Sequence, residues 1–258
     1  MRVVAAYIAL IAVAEASVAF GDPLIGAIVY SILLVAMLTH CAVRLAAERG
    51  PGEEQRNPDP AQAIAALAFL PVIRLVSMSV PVGGSSEASQ SLVVGASLLA
   101  AIVWAAWGVR LPASRLRPRF PALDLLAVCL APLLAYDAYI LLRPASLAEG
   151  ARWTQLGTAA LAVALVAVVE ELVFRGFIQT AFFRLYGSSA PLWSSAVYVI
   201  SYLGVGPRGM IALAAVLGLL FGWLVQRSGS LLGVTVSHAL VNVGLFVLLP
   251  HVLSDSSA

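Results

Sequence analysis

Long apolar runs, broken by short polar stretches, dominate the chain. A bilayer core of about 30 Å needs about 20 apolar residues per helix. Nine stretches meet or approach that length: 3–20, 24–43, 61–80, 91–109, 122–142, 154–173, 188–203, 209–226 and 231–249. The seventh is short, and Gly204, Gly206 and Pro207 follow it. The pattern predicts eight or nine transmembrane helices, because open strands leave backbone groups unsatisfied in lipid. The first run begins Met1-Arg2 and offers Ala16 and Ala19 as small residues, as a signal peptide would. Glu15 interrupts it, and the next run starts after Gly21-Asp22-Pro23, so an uncleaved helical hairpin is expected. The fold class is all-α, a polytopic membrane bundle. Three segments are expected: 1–153 with N-terminal helices and Arg-rich loops, 154–249 as a core, and 250–258 as a short polar tail.

Composition agrees with this pattern. The 258 residues are 61% hydrophobic and 11% charged, against about 45–50% and about 25% in a soluble domain. A soluble enzyme, a disordered tail and a nucleic-acid binder are excluded. All 15 basic residues are Arg. With a cytoplasmic N-terminus, eleven of them fall on the inner side: Arg2, Arg44, Arg49, Arg56, Arg110, Arg115, Arg117, Arg119, Arg175, Arg184 and Arg227. Arg143, Arg152 and Arg208 fall outside, and Arg74 lies within a span. That asymmetry sets the orientation. An all-Arg, Ala-rich chain suggests a GC-rich bacterial genome, hence a bacterial plasma membrane. Cys41 and Cys129 show no metal-type spacing and read as small apolar residues, with a disulfide left open.

Ionisable residues inside spans are costly and mark functional candidates. They are Glu15, Arg74, Asp137, Glu170, Glu171 and His238, with Asn242 as a polar neutral; His40 and His251 lie near span ends. Glu15 is expected to reach the interface, and Asp137 and Arg74, at compatible depths, to pair. The densest group ends the sixth run: Glu170-Glu171-Leu172-Val173-Phe174-Arg175. On a helix Glu171 and Arg175 are i,i+4 neighbours and can pair. Glu170 is turned by about 100° from Glu171 and stays available. A carboxylate in apolar surroundings can act as a general base near neutral pH. In the ninth run, His238 and Asn242 share one helix face, and their N–H groups could hold an oxyanion. His238 lies about 10 Å from the inner end at 1.5 Å per residue, and Glu170 lies near that end too. Each group alone also reads as structural: a helix-end ion pair, and interhelical hydrogen bonds. Their common depth favours a site.

These residues resemble the CPBP (CAAX protease and bacteriocin-processing, Abi) family of glutamic intramembrane proteases. Its EExxxR motif is matched by Glu170, Glu171 and Arg175, and its HxxxN motif by His238 and Asn242; the run from Gly218 to Gly233 is also similar. The resemblance covers about 154–249. It implies a membrane-embedded endopeptidase, labelled a metalloendopeptidase in older usage, in which Glu170 activates water and His238 and Asn242 hold the oxyanion. Glu171 and Arg175 would fix Glu170. No cofactor or metal is implied, since two adjacent Glu and one His are a poor zinc set. The partners would be a membrane-associated peptide or protein substrate and the lipid bilayer, with no nucleic acid. One departure stands out. The family places a His four residues after an aromatic in its second motif; here Tyr198 is followed by Tyr202. A phenol donates a hydrogen bond but is a poor base at neutral pH. The alternative is therefore a catalytically weakened member that binds a membrane segment as an immunity or scaffold protein.

Overall fold

The structure is a computed structural model that describes residues 1–47, 60–79, 95–96, 98–99, 121–147, 153–204 and 208–254. The expected fourth span, 91–109, lies almost wholly outside the described residues. So do the loops at 46–60 and 110–121 for the most part, and the end of the tail.

Among the described residues every regular element is helical. These are α1 (Arg2–Phe20), α2 (Pro23–Ala47), α3 (Pro60–Leu67), α4 (Phe69–Ser79) and α5 (Pro121–Leu142). They continue with α6 (Trp153–Glu171), α7 (Gln179–Tyr186), α8 (Ala190–Ser201), α9 (Arg208–Ser228), α10 (Leu232–Val243) and α11 (Leu249–Ser254). A π-helical segment, Leu172–Ile178, follows α6, and another, Gly244–Leu248, follows α10. Large apolar side chains such as Phe20, Leu24, Leu141, Trp153 and Leu161 stand exposed, as a lipid-facing surface requires. The chain is an integral membrane protein.

Among the described residues seven helical runs are long and apolar enough to cross a bilayer, fewer than the eight or nine expected of the whole chain. The runs at 154–173 and 188–203 fall in one helical stretch of 49 residues, Trp153–Ser201. Hydropathy saw two peaks there because the intervening α7 carries polar Gln179, Thr180 and Arg184. At Gly187 (φ 57°) the chain takes a left-handed turn that glycine adopts without a Cβ clash. Across it α7 packs on α8, with the Tyr186 and Trp193 rings stacked at 5.1 Å.

The chain divides into two compact units. One contains residues 1–79 and 177–222, the other 80–176 and 223–258.

In the first unit α1 packs on α2, α3 and α8. Its interior holds an ionic cluster. Arg74 donates through Nε to Glu15 Oε1 at 3.0 Å and through Nη2 to Glu15 Oε2. The Tyr30 hydroxyl donates to Glu15 Oε1 at 2.6 Å, and Arg74 Nη2 also donates to the Ser201 carbonyl at 3.0 Å. Glu15 is thus buried rather than interfacial, and Arg74 takes Glu15 rather than Asp137, which is exposed. A lone carboxylate in a bilayer interior is expensive, and a guanidinium within reach removes most of that cost.

In the second unit α10 packs between α5 and α6. The buried face of α5 is a stripe of alanines, Ala127, Ala131, Ala135 and Ala138. Small residues let helix backbones approach closely where no hydrophobic force operates between helices. A Cβ added at Gly244 would lie 2.7 Å from the Ala135 Cβ, so glycine is what permits that approach. Ser237 Oγ donates to the Ala127 carbonyl at 2.7 Å and fixes the rotation of α10 next to His238. Cys41 and Cys129 form no disulfide, and Cys41 Sγ donates to the Ala61 carbonyl at 3.6 Å.

Candidate functional site

Glu170 and Glu171 are the last two residues of α6, before the helix widens into the Leu172–Ile178 π segment. Single π turns occur often at functional sites, because the extra residue re-aims side chains. Here the segment keeps Glu171 and Arg175 paired, with Nη1 3.2 Å from Oε1 and both side chains buried. Gly176 and Phe177, which follow in the chain, are also buried.

His238 comes from α10, nearly two turns past its start at Leu232, whose N–H donates to Ser230 Oγ at 3.2 Å. Its Nδ1 lies 2.8 Å from Glu171 Oε1, and its Nε2 lies 3.6 Å from Glu170 Oε2. Four of the residues expected from sequence are therefore brought together within one unit. His238 is 1% exposed and Glu171 0%, whereas Glu170 is 18% exposed. Glu170 is the more exposed of the two carboxylates. Glu171 Oε2 is buried with no hydrogen-bond partner.

Asn242 lies one turn beyond His238 on α10 and is buried. Its Nδ2 donates to the Val163 carbonyl of α6 at 3.4 Å, a long bond that uses one of two amide hydrogens. Tyr202 follows α8 in the other unit, and its hydroxyl lies 3.2 Å from that of Tyr198. Their rings meet edge to face at 5.1 Å.

Gln179, one residue into α7, was not singled out in the sequence. It is buried, donates through Nε2 to the Gly222 carbonyl at 2.8 Å, and leaves Oε1 without a partner. The available signal was Gly222, where a Cβ would sit 3.2 Å from that oxygen. No group of three His, Cys, Asp or Glu side chains among the described residues is arranged to hold a metal ion.

Comparison with known proteins covers this region. A family model described as Rce1-like, type II CAAX prenyl endopeptidase Rce1-like, matches residues 152–244. That interval contains Glu170, Glu171, Arg175, Tyr202, His238 and Asn242. No curated protein and no solved structure matches the chain. Residues 152–244 of this membrane protein are thus similar to the type II CAAX prenyl endopeptidases that the Rce1-like model describes.

Proposed function

We propose that the chain is an intramembrane endopeptidase in which Glu170 activates water. The single observation that carries this reading is the approach of His238 Nε2 to Glu170 Oε2 at 3.6 Å. A base and a hydrogen-bond donor then flank one small space, as attack on a carbonyl requires. A water held by Glu170 gives it a proton as its oxygen bonds to the peptide carbon. The carbonyl oxygen becomes an oxyanion and receives hydrogen bonds from His238 and from the remaining Asn242 N–H. Glu170 then returns the proton to the leaving nitrogen as the C–N bond breaks. Glu171 and Arg175 hold the end of α6 in place. The substrate is a membrane-associated peptide or protein, and the Arg distribution turns the site toward the cytoplasm of a bacterial plasma membrane.

One observation favours a second reading, a scaffold or immunity protein that binds a membrane segment in the same place. Tyr202 stands where the resemblance expects His, and its hydroxyl is turned to Tyr198. Comparing protein termini by mass spectrometry in cells carrying wild type or Glu170→Gln separates the two. The protease reading expects new termini in membrane proteins with wild type only. Identical termini in both, with the cellular phenotype retained by Glu170→Gln, would leave the scaffold reading standing.

A further inference from the structure

Asp137 lies in Pro121–Leu142, the α5 stretch that is long and apolar enough to cross a bilayer. The other face of this helix is already used. Ala127, Ala131, Ala135 and Ala138 are buried, the Ala135 Cβ leaves no room for a Cβ on Gly244, and Ser237 Oγ donates to the Ala127 carbonyl. These contacts fix the rotation of α5. They turn Asp137 outward, where it is exposed, as are Leu133, Ile140 and Leu141. At about 100° per residue, Asp137 falls inside the arc that these three span.

The chain also fixes its depth. The 22 residues of α5 extend about 33 Å, close to the thickness of a bilayer core. The nearer end, Leu142, is five residues away, about 7.5 Å. A helical side chain leans toward the helix N-terminus. The Asp137 carboxyl therefore leans away from the nearer end and deeper into the apolar band. Its short side chain cannot return it to the headgroups as a Lys or Arg stem would. Among the described residues it has no hydrogen bond or ion pair. A carboxyl facing lipid is costly, and ionisable groups at such depths pair with other groups.

We propose that the outward face of α5 docks a transmembrane helix of another protein, one that carries an Arg or Lys at the depth of Asp137. Charge complementarity selects the basic residue, and Leu133, Ile140 and Leu141 supply apolar contact around the pair. The fourth apolar run, 91–109, holds no basic residue and cannot provide that partner. A second copy across a twofold axis would set carboxyl against carboxyl. The proposal is independent of the hydrolytic reading.

The test uses the full chain in phosphatidylcholine liposomes, with p-benzoylphenylalanine at Ile140. The probes are two synthetic Leu/Ala transmembrane peptides of about 24 residues. One carries a single Arg at the depth of Asp137, and the other has Leu there. Photo-cross-linking is expected to favour the Arg peptide about fivefold, the size of an interhelical polar pair in lipid. Asp137→Leu is expected to abolish that preference and to leave the SDS unfolding midpoint unchanged or higher. Equal cross-linking of the two peptides overturns the proposal, as does a preference that Asp137→Leu retains. Arg152, between α5 and α6 in the chain, is the internal alternative. A midpoint lowered alike by Asp137→Leu, by Arg152→Leu and by the double variant assigns Asp137 to that pair and overturns the proposal. In cell membranes, the protein captured by the same cross-linker must carry Arg or Lys at that depth, and replacing it by Leu must end the capture. Capture that survives the replacement overturns the proposal.

Discussion

Two ionic clusters sit inside this membrane protein, one in each unit. Both are built on an Arg–Glu pair, Arg74 with Glu15 and Arg175 with Glu171. Their surroundings differ. The Glu15 carboxylate takes hydrogen bonds from Arg74 and Tyr30, and Arg74 Nη2 also donates to the Ser201 carbonyl at the end of α8. That cluster closes on itself and joins α1, α2, α4 and α8, so it is a fastener. The Glu171 carboxylate shares one oxygen between Arg175 and His238, leaves the other without a partner, and has the more exposed Glu170 beside it. That cluster is open on one side. The same residue types join four helices in the first cluster, and in the second they leave Glu171 Oε2 without a partner.

Substitutions can separate the two. The largest effect is expected at the open cluster. Glu170→Gln removes the base and should lower cleavage by about 10³-fold or more, within the span of general-base losses, while the protein still inserts and folds. Next is Arg175→Leu, which removes the guanidinium beside the buried Glu171 carboxylate. It should cost about 3–5 kcal/mol of stability, read from the SDS unfolding midpoint. Arg74→Leu should cost less, about 2 kcal/mol, because the Arg74 side chain is 14% exposed and Tyr30 still bonds the orphaned carboxylate. If the closed cluster is only a fastener, cleavage per folded molecule stays within about threefold of wild type in that variant, well short of a lost general base. A loss like that of Glu170→Gln would show that the two clusters are not separate in function. The smallest effect is expected for Tyr202→Phe, which removes the hydroxyl contact with Tyr198 and should cost about 1 kcal/mol. Its cleavage should fall less than about tenfold, below the usual loss of a general-base helper.

The open cluster was largely legible in the sequence, and the closed one was not. Glu171 and Arg175 lie four apart on one chain segment, as do His238 and Asn242, so local periodicity predicts which side chains share a face. Matching depth along the two apolar runs then puts the ends of α6 and α10 at one level. The partner of Arg74 depends instead on which helices are lateral neighbours. Depth alone made Asp137 a suitable partner, yet α4 and α1 belong to one unit and α5 to the other. Nothing in the alternation of apolar and polar residues records that choice. The π segments were hidden for a related reason. Leu172–Ile178 and Gly244–Leu248 are as apolar as the helices around them, and one extra residue per turn leaves no compositional mark. Span counting failed at 153–201 because polar α7 separates two hydropathy peaks within one helical run.

The most direct measurement is the turnover number of purified wild-type protein and Glu170→Gln in proteoliposomes, on a fluorogenic peptide taken from a cleaved membrane protein. Catalysis by a Glu170-activated water predicts steady turnover by wild type and a fall of about 10³-fold or more in the variant, with its helix content and unfolding midpoint unchanged. Equal turnover by the two proteins would contradict it.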